Sequence, residues 1–153
     1  MELGNTEAGV RLTFINQSND QMNSDVVIFQ KNAAGGQQVS TVAWLVIQNC
    51  GQGDSHPFVY PAAMEVGASD SWGNFTPLLD APPGQSFAVV YTASGDQLVP
   101  DGPATSPTEV QVENRLQLGA INAGIYRNRA LLAHEKSLVP GQIAAFAFDP
   151  TIW

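Results

Sequence analysis

Charge, and basic charge above all, is scarce in this sequence. Asp, Glu, Lys and Arg make up 13% of the 153 residues, with 6 Lys plus Arg against 14 Asp plus Glu. That is roughly half the charged share of an average soluble domain. Asn, Gln, Ser and Thr supply most of the polarity instead. A net charge of −8 argues against nucleic acid as a partner, because binding to a phosphate backbone draws on clustered Lys and Arg. It also disfavours docking on anionic membranes. Cysteine is nearly absent. The lone Cys50 has no internal disulfide partner, a usage that fits a reducing compartment. Long apolar runs are missing too, since the stretch from Thr41 to Ile47 falls far short of the ~20 residues that span a bilayer. Met1 to Asn5 holds neither the basic nor the apolar region of a secretion signal. The expectation is a cytoplasmic protein whose partner is uncharged: a sugar, an apolar small molecule or a second copy of the chain. No cofactor is expected.

Helical periodicity is also wanting, as are heptads and internal repeats. What the chain does have is a succession of short β-like runs cut by Gly, Pro, Asn and Asp. Val10, Leu12 and Phe14 alternate with Arg11 and Thr13, the period of a half-buried strand. Val26 to Gln30 reads as a strand broken by Gly35-Gly36. Thr41 to Gln48, apolar on both faces, reads as a central covered strand. Phe58 to Tyr60, between Pro57 and Pro61, belongs at an edge. Ser69 to Phe75 is a further strand candidate, and Gln85 to Ala93 a strong one. Pro100 to Pro107, with Pro103 and Gly102, reads as an exposed loop. Thr108 to Val112 alternates again. Ile125-Tyr126 and Leu131-Leu132 flank Arg127-Asn128-Arg129, a hairpin signal with Asn at a left-handed position. Asn128 to Ser137 is the best helical alternative. Val139-Pro140-Gly141 is a turn, and Ile143 to Phe148 a last covered strand. The length suits one domain with a real core. The pattern predicts a single all-β domain of about 8–10 strands, an antiparallel sandwich, with a closed barrel as the alternative.

Two stretches carry a resemblance. Val10-Arg11-Leu12-Thr13-Phe14-Ile15-Asn16-Gln17-Ser18 runs a strand into an Asn-Gln-Ser turn, with Val27-Ile28-Phe29-Gln30 after it, and Val42-Ala43-Trp44-Leu45 is the second phrase. Over about its first third the chain resembles the small rhizosphere-induced proteins of soil bacteria. The resemblance implies a β-rich accessory protein and carries no catalytic residue with it.

Candidate chemistry is sparse, and each candidate has a plain structural reading beside it. Asp54 and His56 lie two apart, so on an extended chain they point the same way. A carboxylate there can orient an imidazole as a base or metal ligand; a polar loop before an edge strand explains them equally. His134 and Glu135 are adjacent, which suits neither strand nor helix geometry for a pair. The two histidines with a carboxylate would make a recognised ligand set, but no close spacing supports one, and no metal is expected. Cys50 as a nucleophile would need a basic neighbour such as His56; a buried structural thiol is the simpler account. Serine-hydrolase elbows and glycine-rich phosphate loops are absent. Asp70, Trp72 and Asn74 alternate, so a strand would present all three on one face, where Asp and Asn bracket sugar hydroxyls and the indole stacks on a pyranose. The competing reading is a core tryptophan beside a turn. Trp44, Phe58 and Tyr60 read as core, and Arg115, Arg127 and Arg129 are the only local basic cluster. Asn16-Gln17-Ser18 and Asn74-Phe75-Thr76 match the glycosylation pattern, which matters only for a secreted eukaryotic protein.

Two functions follow. The first is a non-catalytic binding or self-assembling protein. The second is a small barrel enzyme using Asp54, His56 or His134 as acid or base. Polar groups converging in a deep apolar pocket would favour the enzyme; a filled core with aromatic and amide groups outside would favour binding or assembly.

Overall fold

The computed structural model describes residues 9–35 and 40–153. Two sheets face each other across the main core. One has five strands in the order β3 (Ser40–Thr41), β12 (Ala130–Leu138), β11 (Ile121–Arg127), β6 (Glu65–Asp70) and β7 (Leu79–Asp80). The other has four: β13 (Ile143–Phe146), β10 (Val110–Asn114), β8 (Gln85–Thr92) and β9 (Gly95–Pro103). Every other residue of each inner face is apolar. Val66, Ala68, Ile121, Ala123 and Ile125 from the first sheet meet Phe87, Val89, Val110, Val112 and Phe146 from the second. Period-two side-chain placement puts these sets on one face each. Asn114 is the polar exception inside. It is fully buried, and its Nδ2 donates to the carbonyls of Gly119 and Leu138, both at 2.9 Å. Its Oδ1 accepts from the Leu116 amide at 3.0 Å. The amide thereby ties the two sheets together.

The first part of the chain builds a smaller annex on this sandwich. β1 (Val10–Ile15) pairs with β5 (Ser55–Tyr60), and β2 (Val26–Ile28) with β4 (Leu45–Ile47), each as a two-stranded antiparallel sheet. Ile28, Ile47 and Cys50 form its core, with Phe14, Leu45, Phe58 and Ile152 packed against them. Trp44 touches both cores, and its indole N–H donates to the Arg127 carbonyl at 3.0 Å. The C-terminal tail runs back along residues 29–33. Trp153 and Phe29 exchange both backbone hydrogen bonds at 2.9 Å, and Asn32 and Gln30 bind the backbone of Ala145, Ala147 and Asp149.

The described residues are all-β, a sandwich of several packed sheets with no closed barrel among them. The strand count among the described residues is 13 rather than 8–10, because several pieces are two or three residues long. One pair, β8 with β10, is parallel. Thr41 to Gln48 is not a central strand. It splits into β3 and β4, which pair in different sheets, and Val46 faces outward at 44% exposure. The apolar residues on its other face serve the annex core, which periodicity alone does not distinguish from a buried strand. The proline-rich stretch is a loop only from Ala104. Pro100, Gly102 and Pro103 belong to β9, at a sheet edge where a missing N–H breaks no ladder. A register shift opposite Gln85 and Phe87, with Gly102 at φ 75°, absorbs the irregularity. The helical alternative over Asn128 to Ser137 does not form: Ala130–Leu138 is strand, and the expected hairpin forms, with Asn128 and Arg129 in its turn, both left-handed at φ 49° and 62°. The Gly35-Gly36 break adjoins residues 36–39, which, like Met1 to Asn5, lie outside the described residues.

Candidate functional site

A recess of about 720 Å³ lies between the β1–β5 pair and the C-terminal tail. Leu12, Phe14, Ile28, Phe58, Phe148 and Ile152 give it apolar walls. Strand alternation explains this lining. Leu12 and Phe14 share one face of β1, as Phe58 and Tyr60 share one face of β5. The pinned tail supplies the opposite wall with Asp149, Pro150 and Trp153. Lys31 Nζ sits 3.9 Å above the Trp153 ring centroid, on which its charge is attracted to the π face.

Three nearly buried polar side chains meet in this recess: Gln30 at 4% exposure, Tyr60 at 8% and Arg127 at 8%. The Tyr60 hydroxyl donates to Gln30 Oε1. Trp44 braces the phenol edge-on, with ring centroids 5.1 Å apart. The Arg127 guanidinium carbon lies 4.7 Å from the Tyr60 ring centroid. Arg127 Nη1 donates to the carbonyls of Pro61 at 2.8 Å and Ala62 at 2.7 Å, while Nε has no hydrogen-bond partner. Among the described residues no carboxylate pairs with this guanidinium; the ion pairs present join Arg115 to Asp101 and Glu113. Burial lowers the Arg127 pKa, opposed by Tyr60, and burial raises that of Tyr60, opposed by Arg127. At neutral pH the pair is therefore a cation beside a neutral phenol.

The sequence candidates are placed elsewhere. Asp54 is exposed and spent on its own turn, accepting from the Gly51 amide at 2.7 Å. His56 shares a strand face with Phe58 and Tyr60 but does not line the recess, and its Nε2 is buried without a partner. His134 lies on the five-stranded sheet beside a smaller hollow of about 310 Å³ that also holds Tyr126, Asn122 and Lys136. Burial, then the Lys136 charge, lowers its pKa; burial raises that of Glu135. The ligand set of two histidines and a carboxylate does not assemble: no group of three His, Cys, Asp or Glu side chains gathers to hold an ion among the described residues. Cys50 is fully buried, and its thiol is pushed up by burial and by the charges of Asp54 and Asp20, the opposite of an activated nucleophile. Asn16, in the first glycosylation pattern, buries its amide against the Cys50 carbonyl at 2.8 Å.

Asp70, Trp72 and Asn74 do not share a strand face, because β6 ends at Asp70 and the chain turns. Asp70 Oδ1 accepts from the amides of Trp72 at 2.8 Å and Asn74 at 3.0 Å, and Oδ2 from Asn74 Nδ2 at 2.8 Å. These bonds, the Asn74 side chain first, hold the Asp70 carboxyl below its ordinary pKa. Trp72 is 88% exposed at the turn's tip, so it is not a core tryptophan. The three arginines do not cluster either, since Arg127 is buried and Arg115 is paired with acids.

The sequence does contain a signal for Arg127. Ile121, Ala123 and Ile125 set the inward face of β11, and the same count of two reaches Arg127. An arginine on the core side of a strand needs either a partner or a function. Gln30 follows Val26 and Ile28 in the same way. No family model, curated protein or solved structure matches this chain.

Proposed function

We propose that this is a non-catalytic binding protein whose ligand is a small, mainly apolar molecule held in the recess between the β1–β5 pair and the C-terminal tail. The carrying observation is the recess itself. Its volume of about 720 Å³ falls within the ~300–1,000 Å³ of small-molecule sites, and apolar walls with a few converging polar groups are their usual make-up. The polar groups that converge are a phenol with a raised pKa, an amide and a guanidinium. None of these three accepts a proton near neutral pH, no histidine lines the recess, and Asp149 is the one carboxylate on its lining. Polar convergence here therefore supports recognition rather than acid–base chemistry. The resemblance of the first third to the rhizosphere-induced accessory proteins belongs to the same proposal.

The test uses Nile red, a neutral apolar dye whose emission rises on leaving water. Wild-type protein is expected to bind it saturably with one site per chain. Ala62 is an exposed residue on the recess lining, so Ala62→Trp fills the recess without disturbing a core, and it should weaken dye binding at least about tenfold, the equivalent of ~1.4 kcal/mol. Equal binding by the variant would place the dye elsewhere and sink the reading.

A further inference from the structure

We infer that the ligand carries a single carboxylate and binds with that group against Arg127 and its apolar body along Phe58, Leu12 and Ile152. The inference rests on the recess being a binding site and names the class of molecule it takes.

Burial and charge carry the argument. Arg127 is more than nine-tenths buried, and an arginine is charged at any ordinary pH. A buried ion costs several kcal/mol unless it is paired. Here two neutral carbonyls, both bonded to Nη1, and a phenol face partly offset that cost, the buried Nε–H is left without a partner, and no carboxylate of the described residues answers the charge. An incoming carboxylate supplies the missing counter-charge in a low-dielectric site, where the attraction is strongest. Guanidinium and carboxylate also match in shape, both being planar and able to bond in parallel.

The same charges limit the ligand to one anionic group. The chain as a whole carries −8, which repels polyanions such as nucleotides at long range. Asp149 lines the recess without an ion pair to Arg127, so every acid on the ligand meets a like charge there and only the one paired with Arg127 is offset. The apolar walls of Leu12, Phe14, Ile28, Phe58, Phe148 and Ile152 suit a hydrocarbon body better than a sugar.

Matched pairs test this against wild-type protein: decanoate with decanol, and 2-naphthoate with 2-naphthol, each displacing Nile red at pH 7.5. At least one acid is expected to bind about tenfold more tightly than its alcohol, a ratio typical of one charge-assisted contact. That preference should vanish in Arg127→Gln and survive in part in Arg127→Lys. Because Arg127 also holds the 61–62 turn, the wild-type comparison stands alone if either variant fails to fold. Acids and alcohols binding equally would overturn the inference and leave Arg127 a structural plug, with the recess still a binding site. Dye binding that neither acid displaces would also overturn it. Absence of any dye binding would remove the recess reading first.

Discussion

At the scale of the residue, buried polar atoms decide more than their number implies. Asn114 makes three bonds with no access to water. Asn114→Ala removes all of them and strands the buried Leu138 carbonyl and Leu116 amide, so urea denaturation should show a loss of about 2–4 kcal/mol. His134 makes a contribution that depends on pH. Burial and Lys136 lower its pKa in the fold from the ordinary 6.5, so the unfolded chain binds that proton more readily than the native one. Stability then rises with pH through the window between the folded value and about 6.5, and falls as acid is added across it. His134→Gln should flatten the urea midpoint between pH 7 and pH 5 relative to wild type; an unchanged slope would show that the imidazole titrates alike in both states.

At the scale of the element, turns and alternation were legible, and pairing was not. The β11–β12 hairpin, the Val139–Gly141 turn and the alternation of β1 follow from residue types alone, whereas the last strand ends at Phe146 and leaves Ile143 52% exposed rather than covered. The type I′ geometry at Asn128-Arg129 fits the twist of the flanking strands, but Arg129 holds φ 62° with a Cβ. Arg129→Gly should therefore stabilise the fold by about 0.5–1 kcal/mol, read as a higher Tm; a lower Tm would mean that its side chain contributes more than its backbone costs. The proline-rich β9 and the split of Thr41 to Gln48 were not legible. In both, the deciding fact is a neighbour distant in sequence: an edge position in one case, two separate partner sheets in the other. The Asp70–Asn74 turn misled for a related reason. Its alternation is real, yet Asp70 bonds locally to the next amides and ends the strand, a competition that Asp and Asn usually win at turns.

At the scale of the whole molecule, the recess exists because two cores meet. Neither the sandwich nor the annex closes over Tyr60 and Arg127; the tail, pinned to residues 29–33, forms the third wall. No local window contains such a site, since it draws on β1, β2, β5, β11 and the tail together. The three tryptophans report on it separately: Trp153 lines the recess, Trp44 stacks behind Tyr60, and Trp72 stands on a distant turn. The most direct measurement is therefore a titration with neutral 2-naphthol followed by the indole N–H resonances of wild-type protein. The account predicts that the Trp153 signal moves saturably, with a smaller shift at Trp44 and none at Trp72. A shift at Trp72 with Trp153 unmoved, or no shift at any indole, would contradict it.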